Sequence, residues 1–554
     1  MKIRAAAYVA LAAGMSWVGG TAAARQQASR FDFAGRPSSA IRYLKASNPG
    51  EDDRIGRGDP LVGVGLAMSA DGNTVVVSAP HEDSGATGVN PPSPGGFGGT
   101  GGNQRDESAW DSGAVYVFVR SGGRWTQQAY IKASNTQSSD RFGIAIALSG
   151  DGNTLAVGAT LEDSGARGVN PPSPGGFGGT GGNQADNSAE AAGAVYVFAR
   201  TGTTWAQQAY IKASNADAGD QFGWSVALSQ DGSTLAIGAQ SEASAATGID
   251  PPSPGGFGGT GGNQADNSAA DAGAAYVFVR RGSTWTQQAY IKPSNAQGAD
   301  RFGFSITLSG DGNTLAVGSY DEDGSAKGVN GVSDEGAPNS GAAYVFVRRG
   351  AMWTQESYVK ASNTVRNIAF GSSIALSADG ATLAVGAVDE TNLTRGIDGD
   401  QSSKPDNLVS AGAIYVFGRT GDGWGQQAYV KSFNIGPTDL FGIRLALSRD
   451  GSVLAAGAPG QTGGGRGFKA NPQDFTAPES GAVYVFLRSA GRWTQDAYVK
   501  APNAEAYDQF GSGVALSADG TTMAVAANGE DGGSGIDGNQ NDNSVRDSGA
   551  VFVF

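Results

Sequence analysis

The chain has no cysteine and only one histidine, His81, among its 554 residues. Disulfide staples and thiolate metal sites are therefore excluded, and imidazole chemistry has almost nothing to build on. No G-x-S-x-G elbow and no G-x-x-x-x-G-K-[ST] phosphate loop occurs. Positive charge is scarce as well. The 38 Lys and Arg face 52 Asp and Glu, and the net charge of −14 repels phosphate backbones and anionic lipid, so nucleic acid is not an expected partner. No apolar run is long enough to span a bilayer, and no window sustains a 3.6-residue apolar period. Membrane insertion and helical architectures both drop out.

What the chain has in abundance is glycine, 89 residues, and repetition. A turn of the form [ALT]-[LM]-S-x-D-G recurs seven times, at Asp71, Asp151, Asp231, Asp311, Asp379, Asp450 and Asp519. Each is followed by an apolar run, a variable loop, and V-Y-V-F or a near match ending at Phe118, Phe198, Phe278, Phe346, Phe417, Phe486 and Phe554. A Y-[ILV]-K segment accompanies each copy, its tyrosine at 43, 130, 210, 290, 358, 429 or 498. A repeat that fills the chain predicts one closed array rather than the several domains its length would suggest.

Each copy reads as four strands. In "FGIAIALS" Phe142, Ile144, Ile146 and Leu148 alternate with Gly143, Ala145 and Ala147, a period of 2 that is apolar on both faces. Asp151-Gly152 predicts a hairpin, because such turns need positive φ, which Gly adopts freely and Asp tolerates. "TLAVGA" returns, "GAVYVF" at 193 to 198 is third, and "AQQAYIKAS" at 206 to 214, introduced by Trp205, is fourth. Four antiparallel strands sandwiched between neighbours describe a blade, so the expected fold is an all-β, seven-bladed propeller. The chain stops after its seventh third strand and begins with a lone fourth strand, "IRYLKASN" at 41 to 48. The expectation is that this N-terminal strand completes the last blade and closes the ring.

Ahead of it, Lys2 and Arg4 precede an apolar stretch from Ala5 to Val18, and Ala22, Ala23 and Ala24 follow. This is the layout of a bacterial-type secretory signal. The expected division is a signal over 1–24, a lead-in over 25–40 and a single propeller over 41–554, exported to periplasm, medium or cell surface.

The F-G of Phe142 and Gly143, the G-A after the second strand and the G-A-V-Y-V-F after the loop resemble the FG-GAP repeats of integrin α-subunit propellers and their bacterial relatives. Blade six even reads Gly457, Ala458, Pro459. The resemblance implies the propeller, and it implies that the loops between strands two and three share the ligand-binding rim with the loops joining successive blades. The family's calcium motif, roughly D-x-[DN]-x-D-G-x-x-D, is not carried over. Asp151 and Gly152 match its centre, but Ala147 and Leu155 stand where the outer carboxylates belong and Ser149 holds the third position.

The loop between strands two and three contains "PPSPGGFGGTGGNQ" verbatim at 91 to 104, 171 to 184 and 251 to 264. Pro and Gly at that density predict a solvated fringe, and long loops carry binding. Phe97, Asn103, Phe177, Asn183, Phe257 and Asn263 are its candidate ligand contacts. An "ED" pair after strand two and a "GNQxDN" loop end nominate Asp163, Asn183, Asp186, Asp531, Asp537 and Asp542 as oxygen ligands for calcium, should the loop fold back. Turn formation explains the same residues. No cofactor is required.

The functional expectation is a monomeric, non-enzymatic binding, adhesion or scaffold propeller that recognises a protein or glycan through its loop-rich face. The alternative is a secreted propeller hydrolase or lyase with its site in the central channel, where the first strands should present Gly, Ala and Ser. An outer-membrane barrel is disfavoured, since the strands fall short of the about 9 to 11 residues needed to span.

Overall fold

The computed structural model describes residues 41–554 apart from 57–64, 91, 94–95, 100–101, 171, 174–175, 180–181, 251, 254–255, 258–262, 403–409, 422 and 473. The expected signal and lead-in lie outside the described residues. The remainder forms seven antiparallel blades in a ring, with one 3-10 turn, Gly467–Lys469, as the only helical element among the described residues. Blade two is typical: Ala145–Leu148 lines the channel, followed outward by Thr154–Ala159, Ala194–Thr201 and Thr204–Ile211. In the seventh blade Arg42–Leu44 pairs antiparallel with Ala550–Val553, Tyr43 opposite Phe552, and takes the outermost place.

The core lies between blades. Val76, Val115 and Val117 of blade one pack against Leu155, Val157, Tyr196 and Phe198 of blade two, and the other interfaces repeat the arrangement. At the closing interface Leu44, Val551 and Val553 meet Val75, Val77 and Tyr116. The FG and GA signatures are two sides of one contact: a Cβ at Gly158 would lie 2.1 Å from the carbonyl oxygen of Gly223 in the next blade, so no side chain fits. Phe222, beside it, meets Tyr276 edge-on at 5.1 Å.

The S-x-D-G turn joins strands one and two as the expected hairpin, with one difference in its detail. Ser69 N and O pair with Thr74 O and Gly72 N, so the loop is longer, and positive φ falls on Gly72 (68°), not on Asp71. The aspartate is a side-chain staple. Asp71 Oδ1 accepts from Ser69 Oγ at 2.6 Å and Asn73 N at 2.9 Å. Burial opposes its ionisation, but these bonds outweigh it and hold the carboxyl below the usual range. The next residue inward joins the blades. Ala70 N donates to Gly150 O, Gly150 N to Gln230 O, and so on through Gly310, Ala378, Arg449 and Ala518, whose N returns to Ala70 O at 2.8 Å. The result is a circular belt of seven backbone hydrogen bonds around one mouth of the channel.

The "E" of the "ED" pairs is buried, not part of a solvated fringe. Glu162 accepts Tyr210 Oη at 2.7 Å, Lys212 Nζ at 2.7 Å, Ser164 N at 3.2 Å, and Asn135 Nδ2 at 3.1 Å. Asn135 belongs to the connection from the preceding blade, and its Oδ1 accepts from Tyr196 Oη. The tyrosine and lysine of Y-[ILV]-K therefore latch the outer strand to the loop after the second strand, and the asparagine latches one blade to the next. Ion pairs of the same kind occur at Lys132–Glu82, Lys292–Glu242, Lys360–Glu322 and Lys431–Glu390, 2.6 to 2.9 Å long. Burying a charged pair is costly unless every remaining polar atom is bonded, a condition these clusters approach.

Two blades break the pattern. In blade six Gln461 replaces the glutamate, and Lys500 Nζ reaches only its amide oxygen, at 3.0 Å, and Ser480 Oγ, at 2.6 Å. Burial lowers Lys500 to about 7. In blade seven Phe552 replaces the third-strand tyrosine, and Asn503 Oδ1 is buried without a hydrogen-bond partner.

Three outcomes follow from this architecture. A chain lacking residues 26–48 exposes the edge of Ala550–Val553 and should melt lower and less cooperatively; an unchanged melt would mean the ring closes without that strand. Gln461→Glu should raise thermal stability most near pH 6. The folded Lys500 titrates at about 7, against about 10.4 for an unfolded lysine, so the parent regains stability as pH climbs between these values and the gain should shrink; an equal gain at pH 6 and 10 would refute this. Phe552→Tyr should add about 1 kcal/mol by satisfying Asn503, read from chemical denaturation, whereas destabilisation would show that the hydroxyl does not fit.

Candidate functional site

The channel has unlike ends. Around the turn-side mouth, inside the backbone belt, stand Met68 and its leucine counterparts from Leu148 to Leu516, an apolar iris around a space of about 160 Å³. The loop-side mouth is wider and chemically mixed.

Between them the inner strands present small residues at one repeated position: Ala145, Ser225, Ser305, Ser373 and Gly513. The serines are committed to architecture. Ser225 Oγ donates to Gly303 O and Ser305 Oγ to Gly371 O, each at 2.7 Å, tying blades three and four to the FG carbonyl of the next. Blade six places Arg444 there. The expected lining of Gly, Ala and Ser thus fails at one position. Arg444 is 6% exposed; its Nε donates to Ser512 O at 3.0 Å and one NH1 hydrogen to Ile443 O at 2.9 Å. It keeps the blade-to-blade link the serines make and brings a guanidinium into the channel.

Above Arg444 a cavity of about 370 Å³ opens between blades six and seven on the loop face. Leu440, Ile443 and Pro459 form its apolar side; Glu479, Gln509 and Asn528 face them from the polar side. Gln509 Nε2 donates to Glu479 Oε2 at 3.3 Å. Arg54 also lines the mouth, its charge matched by Asp52 at 3.2 Å and Asp547 at 3.5 Å. Asn528 is 5% exposed, and its Oδ1 is buried with no hydrogen-bond partner. Five of the lining residues hold left-handed backbone: Arg54 (φ 50°), Thr438 (67°), Leu440 (56°), Glu479 (48°) and Gln509 (55°). For β-branched Thr438 this is a true outlier, costing about 1 to 2 kcal/mol. The same repeat positions are left-handed in other blades, as at Ser139, Arg141, Ala299 and Arg301, so this backbone belongs to the repeat rather than to the cavity.

An aromatic ridge adjoins the cavity. Trp224 lies 6.0 Å from Phe304, which stacks on Tyr320 at 4.5 Å. Tyr320 and Leu440 pack on one small cluster that includes Ile443, so the ridge runs up to the cavity wall.

The inserts sit elsewhere. Val89–Asn90 adds a short fifth strand to the outer edge of blade one, opposite Tyr130 and Ile131, and blades two and three repeat this. Pro92–Ser93, Gly96–Gly99 and Gly102–Asn103 then form a small meander lying against the outer strand. The ends of these loops lie against the blade-joining loops, where Gln104 O accepts Asn48 Nδ2 at 2.7 Å and Gln184 O accepts Asn135 Nδ2 at 2.9 Å, while the fifth strand draws Val89–Asn90 and its counterparts to the circumference. Phe97, Phe177 and Phe257, described through their backbone alone, pair with Pro92, Pro172 and Pro252. Asn103, Asn183 and Asn263 accept the amide two residues on at 3.0 Å, as turn-makers. These six residues are spread over three separate blades and do not converge.

The oxygen-rich candidates hold loops. Asp163 Oδ1 accepts Ala191 N and Asp531 Oδ1 accepts Asp547 N. Asp186 accepts Ser188 N, Asp542 accepts Ser544 N and Gly533 N, and Asp537 accepts Tyr43 N. Among the described residues no three His, Cys, Asp or Glu side chains are grouped to hold a metal. His81 Nδ1 lies 2.8 Å from Asp111, within blade one. No helix among the described residues is long and apolar enough to cross a membrane.

Sequence reasoning passed over Arg444, although the signal was present. Of the inner strands written one above another, "FGIR" alone carries a charge in its fourth place.

No curated protein matches the sequence. Among solved structures, a periplasmic gluconolactonase of Pseudomonas aeruginosa is 14% identical over 80% of this chain and 86% of its own, with a TM-score of 0.39. The WD40 repeats of RRP9 are 10% identical over 92% and 99%, with a TM-score of 0.41. At such scores these likenesses carry no argument about activity. The FG-GAP repeat family matches at residues 125–171, 205–250, 285–346 and 493–554, in the same copies that the structure folds into blades. Recurrent family matches and a ring of seven four-stranded blades lead to one assignment: the chain is an FG-GAP repeat β-propeller.

Proposed function

We propose that this propeller is a monomeric, extracytoplasmic binding module that recognises a protein or glycan on its loop face without chemistry. The observation that carries the reading is the break in repeat symmetry at the loop-side mouth, where Arg444, Glu479 and Asn528 surround a cavity of about 370 Å³. Six of the seven blades spend the equivalent of Arg444 on a small residue, and function resides where a repeat departs from itself. The export signal expected from Lys2, Arg4 and the stretch Ala5 to Val18 supports the compartment.

Catalysis needs a nucleophile or base with a free hand. Ser410, at the mouth, donates its hydroxyl to Asp389 at 2.7 Å, and Glu479 accepts from Gln509. The buried glutamates are consumed by lysine and tyrosine. These commitments favour binding over the hydrolase or lyase alternative.

An array of immobilised glycans and proteins probed with residues 25–554 tests the proposal. Retention of at least one ligand, with no product accumulating in parallel hydrolase and lyase assays, is the expected result; turnover, or an array without signal, would reject it. Shortening residues 91–102, 171–182 and 251–262 should leave the melting temperature within a few degrees, because the inserts line the circumference. If retention falls stepwise with each deletion, the fringe shares the contact through effective concentration.

A further inference from the structure

We propose that five of the seven blade junctions each hold a proton on a buried carboxyl, which makes the ring a pH-sensitive device, tight in acid and loosened as the medium turns alkaline.

The repeat brings a second acid to the latch. Two residues ahead of the FG pair, on the connection from the preceding blade, stand Asp140, Asp220, Asp300, Asp439 and Asp508, with Asp53 two ahead of Ile55-Gly56 in blade one. All six are only 2 to 5% exposed. Each accepts the backbone N–H three residues before it, as Asp140 does from Gln137 at 3.0 Å and Asp220 from Asp217 at 2.9 Å, so the carboxyl is pinned inside the connection that also carries the latch asparagine.

Blade two thus buries Asp140 and Glu162 against Lys212 alone, and blades one, three, four and seven repeat the ratio of two acids to one lysine. Lys212 is spent on Glu162, at 2.7 Å. The remaining two blades drop one acid each, and not the same one. Blade five has Ile368, 1% exposed, in place of the aspartate, and blade six has Gln461 in place of the glutamate, so both bury one acid against one lysine. A second bare carboxylate beside a paired glutamate would be an uncompensated buried charge, and such a group takes up a proton instead. Ile368 shows that the position accepts a neutral side chain.

The surroundings of Asp140 agree. Its charged neighbours are Glu162 and Asp163, on the loop after the second strand, and Lys212 on the outer strand, with the phenols of Tyr196 and Tyr210 beside them. Burial first, and Glu162 second, push its carboxyl up to about 8. Asp220 and Asp300 rise to about 8 as well, burial again leading. An unfolded aspartate titrates near about 3.9, so the stability each proton lends is complete below that pH and is lost as pH climbs through about 8. Beyond it a second anion faces Glu162 and pushes the connection over residues 133–141 away from the blade.

Thermal melts at pH 5 and pH 8 test this on the full ring, comparing the parent with a triple variant carrying Asp140→Asn, Asp220→Asn and Asp300→Asn. Asparagine keeps the shape and the acceptor for the backbone N–H but has no proton to lose. The variant's melting point minus the parent's should be several degrees larger at pH 8 than at pH 5. Taking the difference removes Lys45 and Lys500, which titrate in the opposite sense in both chains. Asp140→Ile, which installs the residue of blade five, should likewise gain on the parent as pH rises, whatever its melting point at pH 5. An equal difference at the two pH values, or variants that lose ground at pH 8, would show that these aspartates are ionised in the fold and overturn the proposal. So would a parent whose melting point at pH 8 is restored to its pH 5 value by calcium, since the clusters would then take a cation rather than a proton.

Discussion

The buried glutamate after the second strand of six of the seven blades is the constraint on which the rest of this molecule depends. A carboxylate removed from water is tolerable only with charge and hydrogen-bond partners in place. At Glu162 those partners come from three directions: Lys212 and Tyr210 from the outer strand, Ser164 from its own loop, and Asn135 from the preceding blade. One residue thereby fixes where the outer strand ends, how the loop leaves the second strand, and how the next blade is approached. Leaving any partner out strands a charge or a polar atom, as blades six and seven show at Lys500 and Asn503. Both defects flank the interface that carries the cavity.

Rigidity of this kind suits a recognition surface. The backbone belt ties the turns at one mouth, and the latches toward the other tie the outer strands and the blade-to-blade connections, so the loop-side mouth is framed by fixed elements. Left-handed backbone at Thr438 and Leu440 is tolerated on the same grounds. Radial symmetry otherwise makes every blade equivalent, and a binding site on such a scaffold arises by local departure. Arg444 is that departure, made at a position where the neighbouring serines already bridged blade to blade, so the charge entered without loss of the link.

Much of this was legible in the sequence because the repeat supplies its own alignment. Period-2 runs from Phe142 to Leu148 and the recurring V-Y-V-F placed the strands, and a lone Y-[ILV]-K at the start beside an unfinished copy at the end pointed to their pairing. What stayed hidden is what depends on distance across the fold. Nothing local to Glu82 or Glu162 distinguishes a buried acid from a solvated one; the partners stand about 50 residues away on another strand. The inserts were hard to place for a similar reason, since Val89 and Asn90, too short to register as a strand, pair with the outer strand and set where the loop leaves the blade. In the turn, Asp71 carries the expected identity for another purpose, accepting hydrogen bonds while Gly72 alone takes positive φ. Arg444 was visible as a letter, but its meaning required knowing that the fourth place of the inner strand faces the channel.

The central claim, that the latch and not merely apolar packing holds the blades, is open to a double-mutant cycle on Glu162→Gln and Lys212→Met. Each single change leaves a buried partner stranded and should cost about 3 to 5 kcal/mol in denaturant unfolding. The pair together should cost clearly less than the sum, with a coupling of at least about 1 kcal/mol. Single losses below about 1 kcal/mol that simply add would mean that the blades are held by their apolar interfaces and that the buried glutamates are incidental.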